Sequence, residues 1–495
     1  MKKLIVALLL TCFCHANAQR AVIRGDFADP SVIKFGKVYY ATATSSNWAP
    51  SFPVMKSKDL KKWEQTGSVF PDLTSWADYY YWAPELNYDN GRVYVYYTAH
   101  KKDGNLCVGV ASADSPEGPF KDHGPLVCEQ AGSIDGFPMR DENNKLHLIW
   151  KEDGNSVGKP TPIWIQPMNE ERTALTGEKK ELFRNDTPWE ANLVEGVSVI
   201  KNKDYFFAIY AAAGCCGPGC TYATGIARAK NLMGPWEKYA KNPIMTAEGA
   251  WMCPGHGTAV KHKGKNYFMY HAYDKATNKY TGRQALIRGF EFTEDNWLRF
   301  TDEYLSPDAS AGGYTIQDKF DNKKLDMQWS WSVFNKPAIT LEDGKLAIRL
   351  KDDHETFIAR KIDGPAYEAT VEIIPAVTAA AGVALIGDDK NLIYASVKKD
   401  SVSVVLVKDG SRTNLCKAAV SAPAGKNIFL KMAVKNSTDI LFEYSLNGSD
   451  FKRLEIGEPD LSYLPPWDRA VRAGILAKGA AGDTALVEGF VFRSK

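Results

Sequence analysis

The chain reads as all-β: a five-bladed β-propeller followed by a β-sandwich (jelly-roll) domain. Three observations predict it. Aromatic residues make up 12% of the 495 positions, and many fall in short alternating runs bounded by Gly, Asn and Asp, as half-buried strands do. One strand–turn–strand pattern recurs five times at a spacing of about 50–60 residues, the range in which propeller blades fall. Long helical periodicity is missing, which disfavours an α/β barrel, and the length exceeds what one ordinary core serves, so two domains are expected.

The first segment, 1–18, stands apart. Lys2 and Lys3 precede an apolar run from Leu4 to Leu10, and Ala16-Asn17-Ala18 offers a small-residue cleavage site. This is the pattern of a secretory signal peptide, so the product is expected to be exported, to the periplasm or beyond the cell. Setting aside those two lysines leaves 59 of the 61 basic residues, level with the 59 acidic ones. A chain so near neutrality is a poor polyanion binder, which argues against nucleic acid as a partner. No later apolar stretch approaches the roughly 18 residues that a membrane span needs.

The propeller is expected over 19–305. Its five copies run from Asp29-Pro30-Ser31-Val32 to Tyr39-Tyr40, and from Ala83-Pro84-Glu85-Leu86 to Tyr96-Tyr97. Asp135-Gly136-Phe137-Pro138 to Trp150 is the third, and Glu195-Gly196-Val197-Ser198 to Phe207 the fourth. Gly255-His256-Gly257-Thr258 to Tyr270 is the fifth. A weaker repeat lies between them: Ser57-Lys58-Asp59-Leu60 through Trp63 resembles Ala229-Lys230-Asn231-Leu232 through Trp236, the turn into an outer strand. Residues 306–313 shift to Ser, Pro, Asp, Ala and Gly and read as a linker. From 314 to 495 strand alternation resumes without the blade repeat, which suits a sandwich.

Nine cysteines become seven beyond the signal, an odd number that leaves at least one thiol unpaired unless chains cross-link. Three lie in Cys215-Cys216-Gly217-Pro218-Gly219-Cys220. In an exported protein a small disulfide loop is favoured over a metal site, because no histidine lies close in sequence to complete a zinc set.

Propeller geometry gives the repeat its chemical meaning. The first strand of each blade lines the axis, so the starts of those strands converge at one end of the channel, bringing Asp29, Pro84-Glu85, Asp135, Glu195 and His256 together. Alone, each acid would be a turn residue or a solvated loop acid. Brought together, three carboxylates cannot all ionise cheaply, and at least one pKa should rise, as acid/base chemistry requires.

Gly25-Asp26-Phe27-Ala28-Asp29-Pro30-Ser31, Trp82-Ala83-Pro84-Glu85, Ser133-Ile134-Asp135-Gly136, Glu195-Gly196 and Gly255-His256-Gly257 jointly resemble glycoside hydrolase family 43, in order and spacing. Asp318-Lys319-Phe320-Asp321, Leu325-Asp326 and the Trp329/Trp331 pair resemble the concanavalin-like sandwich of its β-xylosidase branch. The resemblance implies Asp29 as general base, Glu195 as general acid, and Asp135 as the residue that raises the Glu195 pKa and orients it. Asp26, close by, is given a structural role. Such a layout predicts inversion, with about 6.5–9.5 Å between acid and base.

The resemblance also implies that Arg283 contacts substrate and that no cofactor is required. At His256 it leaves two alternatives, a structural calcium ion on the axis or a hydrogen-bonded histidine. Among aromatic residues, Trp82 should border the pocket, and Trp48 and Phe52, on the loop between the second and third strands of blade one, should wall a subsite. By the same geometry the cysteine loop faces the site from blade four. The motif around Asp135 continues as Phe137-Pro138-Met139, Val197 stands where the family commonly has proline, and the cysteine insert departs from its best-known members.

The implied function is an exported, inverting exo-glycosidase releasing terminal pentoses from plant cell-wall oligosaccharides or polysaccharides. α-L-Arabinofuranosidase is the first reading and β-D-xylosidase the second, ahead of β-galactofuranosidase and endo-arabinanase. A catalytically silent sugar-binding propeller is the competing reading from another class. The sandwich is expected to cap and shape the pocket rather than bind sugar independently. Oligomeric state is not legible.

Overall fold

The computed structural model describes residues 19–217, 219–307, 313–420 and 425–495. The expected signal peptide, 1–18, and residues 308–312 of the expected linker lie outside the described residues.

Five antiparallel four-stranded sheets follow one another along the chain. Their innermost strands are Ser31–Phe35, Ala77–Asp89, Ser133–Arg140, Val194–Asn202 and Trp251–His262. Each touches the innermost strand of the next sheet, and the fifth touches the first, which closes a five-bladed ring. The start of the described chain helps seal it: Val22 N donates to Ala285 O at 2.8 Å, and Trp251 Nε1 donates to Gln19 O at 2.9 Å. Between blades the cores are aromatic, as Tyr81, Tyr97, Phe52 and Phe70 show between blades one and two.

The weaker repeat has a hydrogen-bonded cause. Asp59 Oδ1 accepts from the backbone N–H groups of Lys61 and Lys62, both at 2.9 Å, and Trp63 Nε1 donates to Leu60 O at 3.0 Å. In blade four, Trp236 Nε1 likewise donates to Leu232 O, at 3.1 Å. The indole thus pins each turn from beneath while covering the blade's edge.

Beyond the ring two antiparallel sheets face each other across a large apolar core. The strand Tyr367–Ile374 shows the cause plainly: Tyr, Ala, Val and Ile alternate inward while Glu, Thr and Glu alternate toward the other side. The sandwich packs directly on the propeller. The short strand Trp48–Ala49 of blade one pairs antiparallel with Trp331–Ser332.

Candidate active site

At the mouth of the ring the five inner strands share a backbone feature that the sequence does not display. Asp29, Ala83, Asp135, Gly196 and His256 all have positive φ, at 50, 42, 58, 60 and 38°. In blades two to five the pairing register slips around this residue. Each is a bulge, which bends the strand and re-aims a side chain toward the axis. For a residue with a Cβ such a conformation costs about 1–3 kcal/mol and marks sites that the surrounding structure over-determines.

The positive-φ residues differ from the repeat positions in two blades. Gly196, not Glu195, is the counterpart of Asp29 and Asp135, and Glu85 lies two residues beyond its own bulge. At 196 a Cβ would sit 2.8 Å from Cγ of His256, so no side chain fits. The fourth-blade acid therefore comes from the preceding residue, which still pairs with Ala211.

Asp29, Asp135, Glu195, His256 and Arg283 line one cavity of ≈ 350 Å³. Asp29 is held from three sides. Thr44 Oγ1 donates to its Oδ2 at 2.7 Å, Arg283 Nη1 to its Oδ1 at 3.0 Å, and its backbone N–H reaches His271 Nδ1 at 3.0 Å. Burial would raise this carboxyl, but Arg283, His271 and His256 outweigh burial and hold it far below the usual range.

Glu195 accepts from Lys151 Nζ at 2.7 Å and from Tyr222 Oη at 2.8 Å. Lys151 is itself buried and also meets Asp153 at 2.9 Å. Burial pushes Glu195 up, yet Lys151, helped by Tyr222, turns the net shift downward. Asp135 takes the opposite course. Its Oδ2 accepts from Gly196 N at 2.8 Å, and burial, opposed by His256 and reinforced by Glu195, pushes its pKa up to about 6. The upward shift expected on Glu195 thus falls on Asp135 in the free site, because a lysine absent from the sequence reading neutralises Glu195. Burial also lifts Glu85 to about 7, although Thr258 Oγ1 donates to it at 2.9 Å.

The model of glycosyl hydrolases family 43 matches residues 18–298, the ring that carries these acids up to the start of its last strand, Leu298–Leu305. The chain belongs to this family. A β-xylosidase C-terminal concanavalin A-like domain matches residues 317–466 of the sandwich. A xylosidase/arabinosidase 43B of Humicola insolens is 25% identical over 57% of this chain and 54% of its own length. The chain covers 63% of a xylosidase/arabinosidase of Butyrivibrio fibrisolvens at 26% identity, so it spans little more than half of these two relatives. A non-reducing end α-L-arabinofuranosidase of Bacteroides ovatus aligns through both domains, 23% identical over 84% of this chain and 83% of its own. Among solved structures, the family 43 protein BlXynB of Bacillus licheniformis superposes with a TM-score of 0.81 at 23% identity, covering 96% of this chain and 99% of that one.

Against this family 43 frame the aromatic expectations divide. Trp82 lines the cavity, stacks on Tyr80 with centroids 4.2 Å apart, and stands edge-on to Trp467 of the sandwich at 5.8 Å. Trp48 is not a subsite wall. It is 3% exposed in the inter-domain core, with the Arg472 guanidinium 4.3 Å over its ring and Phe357 at 5.8 Å, because the sandwich covers that loop. Phe52 is fully buried between Tyr81 and Tyr97 in the core joining blades one and two.

Arg283 borders the cavity, where Nη1 donates to Asp29 and Nη2 to Asp468 O, each at 3.0 Å, while its buried Nε has no protein partner. Asp26 accepts from Ala470 N at 3.3 Å, a contact with the sandwich. His256 Nδ1 lies 3.6 Å from Asp29 Oδ1 and 4.0 Å from Asp135 Oδ2. One imidazole and two carboxylate oxygens are fewer than the six or more oxygen ligands that calcium takes, so protein groups alone do not complete its shell here. Among the described residues no cluster of three His, Cys, Asp or Glu is arranged to hold a metal.

The cysteines also depart from expectation. Cys215 bonds to its neighbour Cys216, whereas Cys220 reaches Cys253 on the fifth blade, so no bridge closes between Cys220 and the other two. Cys107 bonds to Cys128, and Cys416 is the free thiol that the odd count required. Lys151, Tyr222, His271 and Asp468 were missed in the sequence. They lie on second strands and distant loops, where no repeat marks them.

Proposed function

We propose that this family 43 protein is an inverting exo-glycosidase that removes terminal pentoses from plant cell-wall glycans, with α-L-arabinofuranosides as its substrates. The observation that carries this reading is the shape and charge of one cavity. Its floor holds Asp29, Asp135 and Glu195, while Trp467 and Asp468 of the sandwich border it beside Trp82. A pocket walled from both domains favours a chain end, whereas cleavage within a chain needs a groove open at both sides.

In this mechanism Asp29, ionised throughout, draws a proton from the attacking water. Glu195 gives a proton to the leaving glycosidic oxygen, and the sugar is released with inverted configuration. The Asp135–Glu195 pair carries one proton near pH 6, and turnover needs it on Glu195. The arabinofuranosidase relative that aligns through both domains supports the sugar. The β-xylosidase affiliation of the sandwich supports β-D-xylosides as a second reading. The leader-like first residues and three disulfides support export to an oxidising compartment.

A panel of aryl α-L-arabinofuranoside, β-D-xylopyranoside and β-D-galactofuranoside tests the reading, with the product anomer followed by NMR. Turnover of the arabinofuranoside with inversion is expected, and Glu195→Ala should cut kcat/KM by about 100- to 10,000-fold. Xyloside turnover alone would install the second reading. Retention of configuration, or a Glu195→Ala enzyme as active as the parent, would overturn the mechanism.

A further inference from the structure

We propose that the Cys215–Cys216 disulfide is a substrate-contacting wall of the pocket, an apolar surface against which the carbon-bound face of the sugar packs. This rests on the glycosidase reading of the cavity and adds the residues that select the sugar there. Both cysteines line the same cavity as Asp29, Asp135 and Glu195. They enter from the loop after the second strand of blade four, whereas Trp82 enters from blade two. The polar floor is therefore flanked by two apolar walls from blades that are not neighbours.

The chemistry of the pair suits that place. Two neighbouring cysteines joined to each other close an eight-membered ring, so neither side chain keeps rotational freedom and neither sulfur carries a proton to donate. What faces the cavity is soft, polarizable and preorganised, and it resembles an aromatic edge more than a thiol.

The loop is also braced. Gly214 N donates to Thr221 Oγ1 at 3.0 Å, and Thr221 N returns a bond to Gly214 O at 2.9 Å. Cys220–Cys253 fastens the far side to the fifth inner strand, three residues from His256. Beneath, Cys215 and Cys220 pack on Tyr222 and Tyr273, and Tyr222 is the residue that donates to Glu195. These ties hold the wall beside the acids, where it discriminates between sugars by shape.

Two measurements on the full chain test this. In the first, Cys215→Ala/Cys216→Ala is compared with the parent on the aryl-glycoside panel. KM for the preferred sugar should rise about tenfold, the loss of one good apolar contact, while kcat changes less than threefold and the ratio between panel members narrows. Unchanged KM and unchanged selectivity in a folded variant would overturn the proposal.

The second needs no variant and no turnover. The parent is treated with a mild phosphine, the released thiols are alkylated, and each cysteine is read by mass spectrometry with and without L-arabinose or D-xylose. Sugar should slow the opening of Cys215–Cys216 and leave Cys107–Cys128 unaffected. Protection by neither sugar would overturn the wall. Protection in a protein that turns over nothing on the panel would keep the wall and sink the catalytic reading instead.

Discussion

Lys151 changes how the three acids divide their labour. A carboxylate trio at a channel mouth invites the expectation that the general acid is the raised member, yet the ammonium 2.7 Å from Glu195 moves the high pKa to Asp135. The sign of the pH profile follows. In the proposed mechanism turnover uses the pair's proton, so kcat/KM should fall as pH rises through about 6, while the acid limb, assigned there to the strongly depressed Asp29, lies far lower. Lys151→Met removes the cation that favours the ionised pair, so the alkaline limb should move upward by about one pH unit or more. A pH–rate comparison of the two proteins reads this directly. An unmoved limb would mean that Lys151 does not govern the pair. The convergence of Asp29, Asp135 and Glu195 on one cavity was legible because each sits in a motif at a repeat start. Lys151 was not, because a lysine in an apolar second strand looks like any strand-end cation until its neighbours are known.

At the level of elements, the bulge is the device that builds the site. In blades two to five the inner strand, which would otherwise point alternate residues up and down, twists one position toward the axis. Asp29 has the same positive φ just before the inner strand of blade one. Gly196 is the member with no room for a side chain, since φ is 60° and a Cβ would strike the His256 ring. Gly196→Ala should cost about 1–3 kcal/mol in denaturant unfolding and lower activity by displacing His256 and Glu195. Gly36→Ala is the control, because Gly36 has a similar φ of 61° but meets nothing within 4 Å. It should lose stability without losing activity, and equal losses of activity in both would refute the role assigned to the Gly196–His256 approach. The strand repeat was readable from spacing, but its register was off by one in blade four, because periodicity counts residues and does not see a bulge.

The molecule as a whole makes the pocket from two domains. Asp468 accepts from Trp82 Nε1 at 3.3 Å, its carbonyl accepts from Arg283, and Trp467 meets the Trp82 ring. Trp467 is 53% exposed, so Trp467→Ala should leave Tm within a degree or two while raising KM severalfold. Steady-state kinetics beside thermal unfolding distinguishes this from a folding defect, and an unchanged KM would remove Trp467 from the pocket wall. Deletion of 314–495 would strip the cover from Trp48 and break its pairing with Trp331–Ser332, and the bare propeller should aggregate or lose activity. A soluble, fully active propeller would show that the sandwich is dispensable.

What the sequence determined by itself is periodic or local: five blades, a second all-β domain, the meeting of three acids at the ring's mouth, Trp82 beside them and an odd thiol. Strand alternation and repeated turns write such features into neighbouring residues. The tertiary structure decided which side chains the fold leaves in contact with solvent and which it seals. Trp48 and Phe52 became core because the sandwich and the second blade cover them, and Cys220 found Cys253 because blades four and five are adjacent. The proton moved to Asp135 because a lysine from blade three reaches across to Glu195. Each depends on contacts between segments far apart in the chain, and no window along it contains both partners.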